Sequence, residues 1–508
     1  MARFDVTIVV IVQFVGDGAD VFTKEIFDAI DLSSNIRYAF LCIDKDNSCK
    51  IEIFHNRKKQ KEVELEDKDF YDTDPEKGAL PIFLREYVLT DDKEPVISDR
   101  YMMFTIGHGA GFGIMTKPGV INKINMAAAR NGFVKSNLFI EEIASVQEDQ
   151  NHLLEILANS FKSNKYKIKR LTSYDFLKRS NTGFARKNRH LIAEKKKDNL
   201  SSPDVNYLTS FQFALIIERE FSEAKRKYNF AYNDNIPFDL ILHVNCYMQT
   251  IENGYALRKV AKYLCATEVG FPTYGISYKM VFKAIAGNPT LDIETTCFDV
   301  IKEAFYTRRQ TAITSAYGDR GKVALSLNRL SEYKLVYDQL SKMSVVFDKA
   351  FENKLGKRSL CCHVYQVRED GRFGNFKGPQ LDDKLSFLDI TNFLSDLVDD
   401  IKDYWTPELQ IAIEELMKLC KRAKAAIPFA TYEVGSPFYP TSLAIFFPRR
   451  NRSLPEDDEF QLQQILKFYS DNEFSKCQFW DEFLKRYLDE KLSLDKKCNQ
   501  KVKDADTF

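Results

Sequence analysis

The sequence predicts an α/β fold, a mostly parallel sheet covered by helices on both faces, followed by a helical C-terminal region. Three observations predict it. Apolar runs of strand length recur near 5–14, 36–43, 101–106, 237–244 and 311–317. Helical patterns lie between several of them, at 21–30, 79–89, 208–228 and 248–264. After 327 the periodicity turns mainly helical, at 328–353, 386–402 and 406–425. Strands that alternate with helices form parallel sheets with both faces covered.

The first run, Val6 to Val12 behind Met1-Ala2-Arg3, has the outline of a short signal peptide. Its β-branched residues suit a buried strand better, and it ends in Gly16-Asp-Gly-Ala-Asp20 without a small-residue cleavage site. It is therefore expected to be the first strand. Segment 49–55 alternates and reads as an added, half-exposed strand. The stretch 112–207 interrupts the rhythm with a helical segment near 137–163 and then a polar run. Between Lys178 and Lys197 stand eight basic residues and a single acid, Glu194. The loop 178–203 is expected to be either a solvated connection or a site of proteolytic processing. Later come a strand-like Thr441 to Phe447 and helical patterns near 455–469 and 478–490. The chain thus comprises a core at 1–327 with the insertion 112–207, a mainly helical C-terminal part of the same unit at 328–452, and a charged helical tail at 453–508.

Lys and Arg total 73, as do Asp and Glu, so no global charge points to nucleic acid or an acidic membrane. No apolar stretch approaches the roughly 18 residues needed to span a bilayer. The ten cysteines show no C-x-x-C pair and no zinc or disulfide rhythm, which suits a reducing cytoplasm. Most cysteines of this kind are small buried hydrophobes. His363 beside Cys361 and Cys362 does not make a convincing ligand set, and no Asp-rich loop has calcium spacing. No metal and no cofactor is expected.

Two strand ends carry chemistry. The run Tyr101 to Ile106 leads directly into His108, which stands among Gly107, Gly109 and Gly111. Glycines at a strand end open backbone conformations closed to other residues and let a substrate approach the main chain. The glycine spacing does not complete a dinucleotide fingerprint, and Gly318-Asp-Arg-Gly-Lys322 lacks P-loop spacing. The second run, Phe238 to Val244, leads to Cys246 and a helical pattern. A cysteine at a helix N-terminus is favoured as thiolate, the nucleophilic form. In an open parallel sheet the carboxyl ends of the strands line the functional crevice. His243 sits beside this strand end, but alternation points it away from the face of Val244.

Together these segments resemble the clostripain family of cysteine peptidases, relatives of caspases, gingipains and legumains. The resemblance rests on His108-Gly-Ala-Gly111, Val244-Asn-Cys-Tyr-Met248, Cys265-Ala-Thr-Glu268 and Gly275-Ile-Ser-Tyr278, with looser matches at 6–30, 208–214, 322–327 and 443–448. It implies a caspase-like three-layer sandwich around a mostly parallel sheet. It further implies a cysteine endopeptidase in which Cys246 is the nucleophile and His108 the proton carrier. The backbone N–H groups of Cys246 and Gly109 would form the oxyanion hole.

The chain departs from the family at one position that bears on specificity. Members that cut after Arg or Lys carry Asp two residues before the nucleophile, where this chain has Val244, followed by Asn245. Val244, Asn245 and Glu268 are therefore the expected substrate-binding residues. Either Glu268 supplies the missing charge or the preference at P1, the residue before the cut bond, has changed. Activation by cleavage in the His-to-Cys interval, as in many members, would use bonds after Arg179, Arg186, Lys187 or Lys195 to Lys197. The expected partners are a protein or peptide substrate and a small-molecule or protein activator, with neither nucleic acid nor membrane. The rival readings are a catalytically silent caspase-like interaction protein and a nucleotide-binding α/β protein.

Overall fold

In the computed structural model, the structure describes residues 2–13, 30, 35–44, 48–55, 58–107, 109, 113–116, 207–228, 236–245, 247–268, 271, 275–307, 324–352, 387–400, 406–430, 443–447, 474 and 479–489. The expected strand at 311–317, the helices at 21–30 (Ile30 excepted), 137–163 and 455–469, and the loop 178–203 lie outside them.

Five parallel strands form the middle of the sheet: β1 (Ala2–Gln13), β2 (Ile36–Ile43), β6 (Glu94–Ile106), β9 (Phe238–Val244) and β10 (Ala261–Thr267). They run in the order β2, β1, β6, β9, β10. Antiparallel pairs extend both sides. Strands β3 (Cys49–His55) and β4 (Lys58–Leu65) follow β2, while β11 (Ala324–Arg329) and β13 (Lys424–Ala430) follow β10. The short β5 (Thr90–Asp91) pairs with the start of β6. Two ribbons stand apart, β7 (Gly113–Thr116) with β8 (Tyr207–Thr209), and β12 (Phe387–Asp389) with β14 (Ala444–Phe446).

The central strands are apolar on both faces because both faces are covered. Val6, Ile8, Val10 and Val12 of β1 join Met102 and Phe104 of β6 and Leu240, Leu242 and Val244 of β9 in one core. That core is closed by α4 (Tyr278–Gly287) and the helical turns Ile293–Thr295 and Thr296–Ile301. The alternate residues, including Val9, Ile11, Tyr101, Met103, Ile241 and Leu264, belong to the opposite core. There the sheet meets α1 (Ala79–Phe83), α2 (Ser210–Tyr228), α3 (Ile251–Leu257) and α5 (Tyr333–Glu352). Three more helices complete this layer, α6 (Ile390–Asp400), α7 (Pro407–Ala423) and α8 (Trp480–Asp489). The expected three-layer sandwich is thus the observed architecture.

Two expectations are corrected. The helix expected over 248–264 is only α3, because the chain from Ala261 is drawn into the sheet as β10 between β9 and β11. Strand β3 is largely buried; the half-exposed strand is the charged edge β4, whose Lys59 and Glu62 form ion pairs with each other and with Glu52 and Lys50 of β3. At the far end of the chain, Trp480 of α8 is fully buried, and its indole N–H donates to the Phe446 carbonyl at 3.1 Å.

Candidate active site

Strand order reverses at β1, with β2 on one side and β6 on the other, so the crevice of this α/β sheet opens at the carboxyl ends of β1 and β6. Here the last rungs are in register: Val12 pairs with Ile106, and Ile106 with Val244. The expected dyad falls two residues past this rung on each strand, and both His108 and Cys246 lie outside the described residues.

The residue before His108 shows why glycine is needed at this turn. Gly107 has φ of +153°, and its N–H donates to the Val244 carbonyl at 3.4 Å. A Cβ there would lie 2.8 Å from Gln13 Cβ and 2.8 Å from Met115 Sδ. Met115 is itself buried with φ of +58°. Gly109 forms an isolated bridge with Ile114.

Behind these turns lies a polar cluster inside the sheet. Thr105 and His243 are register partners on β6 and β9, and neither is exposed. Thr105 Oγ1 donates to Asn245 Oδ1 at 2.5 Å and lies 2.5 Å from His243 Nδ1. A hydroxyl has one proton to give. With that proton on Asn245, His243 Nδ1 must donate to Thr105, so the lone pair of this imidazole is on Nε2. Nε2 is buried and has no hydrogen-bond partner among the described residues. Burial lowers the His243 pKa to about 3 and keeps the ring neutral, which removes it as a proton carrier near neutral pH. Neither Thr105 nor the pairing of His243 was foreseen; the one visible signal was polar residues near the ends of two otherwise apolar strands.

On the other side of position 246 the chain makes a tight turn. Tyr247 is buried with φ of +59°, a conformation costly for a side chain of its size. Gln249 N–H then donates to the Thr267 carbonyl at 2.9 Å, and the Gln249 carbonyl accepts from Ala444 N–H at 3.0 Å. Asn253 Nδ2 donates to the Met248 carbonyl at 2.7 Å. Thr250 caps α3, accepting from Asn253 N–H at 3.1 Å. The helix therefore begins at Ile251, and residues 247–250 separate it from position 246. This corrects the expectation that strand passes directly into helix at the cysteine.

The three expected substrate-binding residues do not share one face. Val244, 7% exposed, ends the apolar core under α4 with Val12 and Phe271, and Ile106 packs against it. Asn245 is fully buried toward Thr105. Glu268 follows β10 on the side of Leu264 and Ala266, which belong to the opposite core, and is 1% exposed. Its charge contributes to the raised pKa of the Tyr333 hydroxyl, a shift due first to burial. Among the described residues no group of three or more His, Cys, Asp or Glu could hold a metal ion, and no helix is long and apolar enough to cross a membrane.

A crevice of this kind in a three-layer α/β sandwich belongs to a wide class of enzymes, and comparison with known proteins narrows it. The sequence model of the clostripain family, peptidase C11, matches residues 221–487. The chain belongs to the clostripain family and is a cysteine-type endopeptidase by class. The match includes position 246; position 108 precedes it. Among solved structures, the chain is similar to an inactive zymogen C11 protease from Parabacteroides distasonis, at 13% identity, TM-score 0.44, and coverage of 94% of this chain and 98% of that one. It is also similar to a secreted C11 cysteine protease from Bacteroides thetaiotaomicron in complex with an irreversible peptide inhibitor, at 12% identity, TM-score 0.47, and coverage of 94% and 99%. Comparison with curated proteins returns no match.

Proposed function

We propose that this chain hydrolyses peptide bonds with Cys246 as nucleophile and His108 as proton carrier. The observation that carries the reading is the register of Ile106 with Val244, which sets the two chemistry-bearing strand ends side by side. Two residues of chain reach at most about 7 Å, so neither residue can stray far from that rung. Cys246 passes its thiol proton to His108, its sulfur attacks the scissile carbonyl, the C–N bond breaks, and His108 gives that proton to the departing amine. Water then opens the thioester and regenerates the thiol. Backbone N–H groups of Gly109 and Cys246 stabilise the oxyanion, a contribution of roughly 3–4 kcal/mol for one such donor.

The P1 residue is apolar in this reading. Val244 shares a strand-end rung with Ile106 and Val12 and belongs to the apolar core that includes Phe271, and Glu268 is buried on the other side of the sheet. An arginine brought against this apolar strand end would lose its hydration without gaining a carboxylate. Val244 remains the proposed substrate-side residue, and Asn245 and Glu268, both buried, are reassigned to the interior. The enzyme is latent until cut. Its basic stretch 178–197 then suits a second, basic-specific protease better than self-cleavage, with a bound small molecule or protein as the other form of trigger. The five described free thiols, Cys42, Cys49, Cys265, Cys297 and Cys420, suit a reducing cytoplasm.

A set of fluorogenic peptides that differ only at P1 tests this. Protein nicked with trypsin and then freed of it should cleave after Leu or Phe at least tenfold faster than after Arg or Lys, the intact chain should cleave far more slowly, and nicked Cys246→Ala should cleave none. Cleavage that survives in Cys246→Ala, or a preference for Arg, would sink the corresponding half of the reading.

A further inference from the structure

We propose that Thr105, backed by His243, is a positioning residue that aims the nucleophile turn through Asn245; the proposal rests on the peptidase reading above. Thr105 and His243 occupy the rung next to the last one shared by β6 and β9. The bond from Thr105 to Asn245 reaches diagonally past the final rung and holds the first residue beyond β9. Asn245 immediately precedes the cysteine, and Tyr247 on its far side is held at positive φ. A strained turn persists only where its surroundings over-determine it, and the Met248, Gln249 and Thr250 contacts hold that turn from the helical side. Thr105 fixes it from the strand side.

The polar cluster has no packing reason to exist. Its neighbours along the same strand faces, Met103 and Ile241, are apolar, and the cluster buries an imidazole nitrogen that has no partner among the described residues. A hydrocarbon of the same shape would avoid that desolvation. What the hydroxyl adds is direction. It accepts from His243 Nδ1–H, so its own proton is committed to Asn245 and to nothing else. The plane of the Asn245 carboxamide is thereby set, and with it the strand-side anchor of the 245–246 peptide, whose N–H is the proposed oxyanion donor. Because His243 stays neutral, the proton arrangement does not change across the working pH range.

The experiment compares wild type with Thr105→Val, which keeps the shape without the hydroxyl, and Thr105→Ser, which keeps the hydroxyl. Three readouts are taken: peptide kcat and KM, the rate of iodoacetamide alkylation mapped to Cys246 by mass spectrometry, and melting temperature. We expect Thr105→Val to lower kcat about ten- to a hundredfold with KM changed less than twofold, since a small misplacement costs rate rather than binding. Thr105→Ser should recover most of that loss. Unchanged kcat in Thr105→Val, or an equal loss in Thr105→Ser, overturns the proposal. Should Thr105→Val fail to fold, the pair His243→Asn, whose amide can still donate to Thr105, and His243→Leu replaces it. Equal kcat in that pair overturns the proposal in the same way. A wild type that cleaves no peptide marks failure of the peptidase reading instead. The Cys246 alkylation rate still decides the positioning in that case, because it should shift severalfold in Thr105→Val and not in Thr105→Ser, and equal rates overturn it.

Discussion

His243 has no solvent contact and, among the described residues, no partner for its second nitrogen, and the consequence can be measured. Its pKa falls by burial from 6.5 to about 3. The unfolded chain therefore takes up a proton below about pH 6.5 that the native protein refuses until about pH 3. The unfolded state binds more protons in that window, so native stability is lost as pH falls through it. Urea denaturation at pH 7 and pH 5 should show wild type losing about 2 kcal/mol more than His243→Asn. An equal loss in both would show that His243 is not buried neutral. The pairing with Thr105 could not be read from the sequence, because a strand's alternation gives the face of a residue but not its partner 138 positions away in the chain. What could be read was the face itself: His243 does point away from Val244. His108 and Cys246 were legible for a different reason, since glycines and a strand-end cysteine mark chain positions without reference to any partner.

At the scale of elements, the strands were the most legible features. The runs 36–43 and 49–55 coincide with β2 and β3, and 237–244 with β9 to within a residue. Uniform burial on two faces leaves a local signature, the unbroken apolar run. Helix α3 was misjudged because Ala256, Leu257, Val260 and Leu264 have helical spacing, yet the gap between β9 and β11 takes Ala261 onward as strand. Tertiary pairing outweighed local periodicity. Strand β4 was missed because its Lys and Glu residues give no apolar signal. The short α3 is held tightly where it remains. A Cβ on Gly254 would meet the ring of Tyr333 at 1.9 Å, and Tyr333 is fully buried with its hydroxyl accepting from Asn328 Nδ2 at 2.9 Å. Neither side can yield cheaply. Gly254→Ala should destabilise the protein by about 1–3 kcal/mol, lowering its melting temperature. A wild-type melting temperature would mean that α3 and α5 can separate without cost.

At the scale of the whole molecule, the C-terminal helices are continuous with the peptidase core. Residues of α5, α6, α7 and α8 share one hydrophobic cluster with β1, β6 and α2, and β13 extends the same sheet. The helices that crowd the sequence after 327 pack into that same cluster. The family match likewise runs through 487. The central claim for this assembly is that two adjacent strand ends deliver a nucleophilic cysteine and its proton carrier. The most direct measurement is covalent labelling with a peptidyl acyloxymethyl ketone carrying an apolar P1 residue, followed by mass mapping of the modified residue. One adduct per chain at Cys246, suppressed in His108→Ala and absent in Cys246→Ala, is the expected result. Labelling at another cysteine, or labelling that persists in Cys246→Ala, would contradict the account.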